Sequence, residues 1–196
     1  MIDFVFPNNN EKEFIKIAEK LEYKTLYFLY SYDDYFNKKT IESKKIRICK
    51  GILADSRNIN KIPKKDKIFV AVPGSMYNRD IIEKSRANII FSTETDTRKD
   101  FIHHRASGLN HILCRLAHEN KVAIGFSLNS ILKGKDIVLG RIMQNIKLCR
   151  KYKVNMVIGS FTKNPYEMRS PHDIISLFES LGMNPGEAKK SLNYNN

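Results

Sequence analysis

The chain has no stretch of about 18 consecutive apolar residues among its 196. It therefore lacks the material for a membrane-spanning helix. Its opening, MIDFVFPNNN, has no basic n-region and too short an apolar stretch for a secretory signal. Cysteines are few: Cys49, Cys114 and Cys149 lie far apart and none forms a CxxC pair. That argues against a disulfide framework and for free thiols in a reducing, cytoplasmic setting. Catalytic signatures are missing as well. There is no GxSxG elbow, no GxxxxGK[ST] phosphate loop, no GxGxxG and no HExxH. No internal repeat or low-complexity linker breaks the chain, so residues 1–196 read as one domain. Acidic residues are in short supply, with 21 Asp and Glu against 34 Lys and Arg.

What is present is positive charge. A net charge of +13 and a pI near 9.6 point to a polyanionic partner. The excess is uneven: Lys38 to Lys67 contains eleven lysines or arginines against Glu42, Asp55 and Asp66. A membrane-surface binder would show an amphipathic basic helix, and none is found. Nucleic acid is the leading partner class, and no membrane is expected.

Short apolar runs alternate with longer amphipathic ones. Strands are expected at Ile2–Phe6, Lys24–Tyr30, Lys45–Leu53, Lys67–Val72, Asn88–Ser92, Lys121–Leu128 and Val154–Ser160. Helices are expected at Glu11–Leu21, Met76–Lys84, Leu109–Glu119, Asp136–Lys151 and Pro185–Leu192. One more helix follows Ser170, which sits at N-cap with Pro171 at N1, and it ends before Gly182. The alternation predicts an α/β fold with a mainly parallel sheet. An eighth strand near Phe101–His103 would complete a compact (β/α)8-type, TIM-barrel-like fold, with a helix missing at Ala54–Asp66. A doubly wound open sheet is the alternative.

Four of the five histidines, His103, His104, His111 and His118, fall between Phe101 and Asn120. On a helical wheel begun at Leu109, Ile112, Leu113, Leu116 and Ala117 make the core face. His111, Arg115 and His118 share the opposite face. His111 and His118 are about two turns, or ~10.5 Å, apart, too far to chelate one ion. His103 and His104 are adjacent and would diverge in a strand. A hydrogen-bonding, partly cationic stripe that holds phosphate or a partner protein suits the charge better than a metal site. The predicted strand ends, Phe6-Pro7-Asn8, Ser31, Val72-Pro73-Gly74, Ser92-Thr93-Glu94, Ser127-Leu128-Asn129 and Ser160-Phe161-Thr162, carry one carboxylate and no histidine. A metallohydrolase needs several ligands converging there. We therefore expect no catalytic residue, no metal ligand and no cofactor of the chain's own.

Three blocks carry a family resemblance: SGLNHILCRLAHENKVAIGFSL (Ser107–Leu128), CRKYKVNMVIGS (Cys149–Ser160) and NPYEMRSPHDIISLFESLGM (Asn164–Met183). In order and spacing they resemble the thirty-kilodalton protein subunit family of ribonuclease P, called protein component 3 in archaea. The resemblance runs from about Lys84 to Met183. It implies a TIM-barrel-like fold related to the metal-dependent PHP phosphoesterases. It further implies a subunit of the ribonucleoprotein that removes 5′ leaders from precursor tRNA. The RNA subunit would perform the chemistry with magnesium. A ferredoxin-like protein, component 2, would pair with this chain as a heterotetramer. Three departures remove possible ligands. Asp3, Phe4 and Val5 stand where PHP enzymes have a His-rich strand. GSFTKN (Gly159–Asn164) replaces SSDAH, and Gly125 stands where relatives often carry a glutamate. The expected RNA contacts are Arg86, Arg105, His111, Lys121, Lys151 and Arg169. Arg115, Lys147 and the Lys38–Lys67 cluster would add nonspecific attraction. A stand-alone PHP-type phosphoesterase and a general RNA-binding scaffold are the competing readings.

Overall fold

A computed structural model describes residues 1–39, 41–56, 58–63, 68–84, 86–95, 99–134 and 136–194. Seven strands form one sheet in sequential order: β1 (Ile2–Val5), β2 (Thr25–Tyr30), β3 (Arg47–Leu53), β4 (Phe69–Pro73), β5 (Ile89–Phe91), β6 (Ala123–Ser127) and β7 (Met156–Gly159). Every neighbouring pair is parallel. The helices are α1 (Glu11–Lys20), α2 (Tyr32–Asn37), α3 (Asn78–Glu83), α4 (His111–Glu119), α5 (Leu128–Lys133), α6 (Ile137–Lys151), α7 (Pro171–Ser180) and α8 (Pro185–Ser191).

The sheet closes on itself between β1 and β7. Val5 and Thr162 form a parallel bridge. The Phe6 N–H donates to the Thr162 carbonyl at 2.8 Å, and the Phe161 N–H to the Phe4 carbonyl at 2.8 Å. The Asp3 carboxylate completes the seam, accepting from the Ser160 N–H and hydroxyl at 2.6 Å each. This closure overturns the open-sheet alternative. It also needs no eighth strand: Phe101–His103 carry none, bends run over Ile102–His104, and the Phe101 N–H donates to the His104 carbonyl.

Alternation along the strands divides the core. Phe4 faces the barrel interior with Leu29, Phe69, Phe91, Phe161 and Tyr194. Val5 and Phe28 face outward onto Phe14 and Ala18 of α1. The interior is filled with rings: Phe161 stacks on Phe91 at 4.3 Å and on Phe4 at 5.4 Å. Gly125 makes room for them, because a Cβ there would lie 2.7 Å from the Phe91 Cβ. At the other end the Ile2 N–H donates to the Leu192 carbonyl, and Tyr194 meets Phe69 edge-on at 6.3 Å.

Local signals set most elements. Ser170 accepts from the Asp173 N–H, Pro171 opens α7, and Gly182 ends it at φ 104°. Two short helices, α2 and α5, were not expected. Their caps, Ser31 and Ser127, close predicted strands, and each accepts a hydrogen bond from the N–H three residues on. The Ala54–Asp66 stretch holds a single 3-10 turn, Ile59–Lys61, among its described residues, and it buries Ile59 and Ile62. Lys67, placed in a strand by its sequence, lies outside the described residues, as do Lys64, Lys65 and Asp66.

Candidate nucleic-acid interface

Connections from helix to the next strand emerge at the N-terminal end of the barrel. Those preceding β5, β6 and β7 lie side by side, because the three strands are neighbours. The first two carry Arg86 and Lys121, and Lys151 ends α6 where the third begins. The His118 Nδ1 lies 2.9 Å from the Lys153 carbonyl, tying α4 to the connection that follows α6. Lys121 and Lys153 both adopt left-handed backbone, at φ 57° and 56°. Lys151 Nζ stands 5.6 Å above the Tyr152 ring, and Lys121 and Lys151 form no ion pair with any carboxylate of the described residues. These lysines close helices whose C-terminal dipoles favour cations, but their side chains stay exposed and available to phosphate.

Arg86 differs. It is half-buried, and its Nη1 donates to the carbonyls of Ile59 at 3.3 Å and Asn60 at 2.8 Å. Arg169 also spends hydrogen bonds internally, donating from Nη1 to the Tyr166 and Met168 carbonyls. Its own carbonyl accepts from the Tyr23 hydroxyl at 2.9 Å, which places it beside the end of α1 and at the same N-terminal end of the barrel.

Arg105 and His111 lie at the opposite end, where the connection that leaves β5 runs into α4. His111 is the first residue of α4 and is exposed. Arg105 pairs with Asp100 at 3.3 Å, and its N–H donates to Gln144 Oε1 at 3.0 Å. The six expected contacts therefore fall into two groups at opposite ends of the barrel. His103 and His104 are exposed, and the His104 ring stacks on Phe101 at 4.5 Å. Part of the Lys38–Lys67 cluster is also committed: Lys38 pairs with Glu11, Lys45 with Glu19, and Lys50 donates to the Tyr35 and Lys38 carbonyls.

The wheel begun at Leu109 holds in part: Leu113, Leu116 and Ala117 lie toward the core, and His111, Arg115 and His118 are exposed. Asn110 caps α4, so Leu109 precedes the helix; Ile112 is 47% exposed and Cys114 is buried instead. On α6, Leu139 is exposed, while Arg141 and Asn145 are buried among Val138, Ile142 and Ile146. Polar residues spaced in step with that apolar stripe were the available signal. Arg141 donates to Asp100 from Nε at 2.8 Å and to the Glu94 carbonyl at 3.1 Å. Burial pushes the Asp100 carboxyl up, but the Ala106 N–H, Arg141 and Arg105 outweigh it and hold it below its ordinary value. Asn145 reaches the Thr93 hydroxyl and the Ser107 carbonyl. This cluster fastens the segment before α4 onto α6.

The C-terminal mouth of the barrel, where enzymes of this architecture carry their chemistry, is stoppered. Phe161, at φ 45°, inserts its ring beside Phe6, Phe91 and Phe4. Above it, Glu167 accepts from the Thr162 hydroxyl and pairs with Lys133 at 2.8 Å. Glu94 lies just beyond β5, and neither carboxyl oxygen has a hydrogen-bond partner among the described residues. Burial pushes its carboxyl up to about 7. Burial likewise raises Asp3 to about 6 against its bonds from Ser160 and Phe4. Among the described residues, no three His, Cys, Asp or Glu side chains converge as metal ligands, and no helix is long and apolar enough to cross a membrane.

The family model of RNase P subunit p30 matches residues 2–196. Ribonuclease P protein component 3 of Methanothermobacter thermautotrophicus is 30% identical over 163 residues, 77% of this chain and 64% of that protein. The component 3 of Methanocaldococcus jannaschii is 29% identical over 199 residues, 92% of this chain and 82% of that protein. In three dimensions the chain is similar to one in a cryo-EM structure of archaeal ribonuclease P with mature tRNA. The TM-score is 0.79 at 26% identity, over 98% of this chain and 87% of the other. The chain belongs to the RNase P subunit p30 family.

Proposed function

We infer that the chain is a non-catalytic protein subunit of ribonuclease P, assisting an RNA subunit that removes 5′ leaders from precursor tRNA in the cytoplasm. The observation that carries this is the likeness, over nearly the whole chain, to a chain of an archaeal ribonuclease P bound to tRNA. The chemistry of the two barrel ends agrees with it. Aromatic rings occupy the mouth where a barrel phosphoesterase would gather its ligands, which argues against the PHP-type reading. Lysines line the other end, where Lys121 and Lys151 would contact RNA phosphates. His111 and Arg105 would add contacts from the opposite end, and Arg86 and Arg169 would do so with whatever donors their carbonyl bonds leave over. Magnesium would serve the RNA subunit, and the chain would need no cofactor.

A protein partner also has a surface to use. Arg105 and Gln144 bring the Phe101–Arg105 segment against the face of α6 that exposes Leu139 and Met143, and Ile102 is 95% exposed beside it. A ferredoxin-like component 2 would cover this apolar area in a two-plus-two assembly.

Reconstitution tests the reading. Cleavage of a precursor tRNA is measured with RNA subunit and protein partners, with and without this chain, across magnesium and salt. Stimulation that requires both the RNA and this chain is expected, and no cleavage by the chain alone. No effect alongside partners of proven activity would overturn it.

A further inference from the structure

The turn at Ile59–Lys61 and helix α3 face each other across a cavity of about 410 Å³. That lies within the ~300–1,000 Å³ of small-ligand sites. Its floor is apolar, formed by Ile59 and Ile81, both nearly wholly buried. Tyr77 stands at its edge, 49% exposed although aromatic. Tyr77, Ile81 and Lys84 recur at helical spacing, so α3 and its two caps, Tyr77 and Lys84, present a ring, an aliphatic floor and an ammonium in succession. Ser56, Asn60 and Asp80 supply a hydroxyl, a carboxamide and a carboxylate around the rim.

Both walls are built in advance. Arg86 holds the Ile59 and Asn60 carbonyls, and the Tyr32 hydroxyl reaches the Lys61 carbonyl at 3.4 Å. Asp55 and Asn58 bond reciprocally through side chain and backbone, at 2.8 and 2.9 Å. Across the cavity, Asn78 Oδ1 accepts from the Ser75 N–H at 2.7 Å, and the Tyr77 N–H donates to the Ser75 hydroxyl. The role of Arg86 is thus to position a wall.

We propose that this cavity takes one unpaired nucleotide of an RNA, its base lying on Ile59 and Ile81 against the Tyr77 ring and its phosphate held by Lys84. This rests on the chain acting on RNA. A stacked, paired base cannot enter a cleft of this kind, whereas a bulged or looped one offers a π-face and its Watson–Crick edge. Asn60 can donate and accept on that edge. Asp80 only accepts when ionised, so it favours bases with an amino or ring N–H donor beside it. Lys61 and Lys84, exposed at the turn and at the C-cap of α3, give the phosphate a positive setting.

The test uses the complete chain and two RNA hairpins of equal length, one fully paired and one with a single bulged fluorescent purine. Affinity and fluorescence are measured for the wild type, Tyr77→Ala and Tyr77→Phe, with thermal melts to confirm that the variants fold. The fluorophore is expected to be quenched by the wild type and by Tyr77→Phe. Tyr77→Ala is expected to weaken binding of the bulged hairpin about tenfold or more, the loss of one base–aromatic stack, and to leave the paired hairpin unchanged. Equal effects on both hairpins, or none, overturn the nucleotide site while RNA binding stands. So does a Tyr77→Ala variant that binds both hairpins normally but no longer captures a partner protein, which reassigns the cleft to a protein contact. A wild type that binds neither hairpin overturns the RNA reading itself.

Discussion

Single residues decide how the two barrel ends differ. Arg86, Arg105 and Arg169 look alike in sequence to Lys121 and Lys151, yet each arginine bonds carbonyls or a carboxylate of its own chain. Glu94 shows the reverse case, an acid buried with no hydrogen-bond partner among the described residues. Its carboxyl is pushed from 4.5 to about 7. Below about pH 4.5 it is protonated in both folded and unfolded chains. As pH rises from 4.5 to about 7, only the unfolded chain ionises freely, so stability falls across that window. Asp3, raised from 3.8 to about 6, acts with the same sign. Glu94→Gln should therefore raise stability at pH 8, by at most roughly 3 kcal/mol, and give no gain at pH 4. Denaturant melts at both pH values would check this; an equal difference at each would remove Glu94 as the source.

At the scale of elements, the connections before β5, β6 and β7 form the basic edge, and their lysines and arginines separate by experiment. Lys121→Ala and Lys151→Ala should each lower the dependence of RNA affinity on salt by about one phosphate contact, with melting temperature little changed. Arg86→Ala should instead lower stability by about 1 kcal/mol, because the part-buried Ile59 carbonyl and the exposed Asn60 carbonyl lose a charged donor. Salt titrations paired with thermal melts distinguish the outcomes. A reduced salt slope for Arg86→Ala with unaltered stability would return it to the phosphate-binding set. Helix α7 was legible almost residue by residue, since Ser170, Pro171 and Gly182 act within one or two turns. Helix α4 was legible on its polar face and at Leu113, Leu116 and Ala117, but Ile112 is exposed and Cys114 buried, because the helices packed beside it, α3 and α6, decide which flank of the apolar stripe is covered. Helices α2 and α5 were missed because each is a short run directly continuing a strand.

For the whole molecule, closure with seven strands depends on what fills the interior. Parallel alternation predicts a barrel but not its aromatic filling, which collects rings from β1, β2, β4 and β5, from Phe161 and from the C-terminal Tyr194. Phe161 lies at the centre of that filling and beside the β1–β7 seam. Phe161→Ala should cost about 3–5 kcal/mol, read as a shift of the denaturation midpoint. A loss below about 0.5 kcal/mol, the range of surface changes, would mean the mouth is not closed by this ring.

The sequence by itself determined the strand–helix alternation, the positive charge, the start and stop of α7 and the absence of standard catalytic motifs. These are local or compositional properties, written within a few residues or summed over all of them. The tertiary structure alone decided which cations remain unpaired by carboxylates, which acids are buried and which end of the barrel is stoppered. Those outcomes turn on partners remote in the chain: Tyr23 and Arg169 meet across 146 positions, and Arg141 and Asp100 across 41. Desolvation and hydrogen bonding depend on such meetings, and no local spacing encodes them.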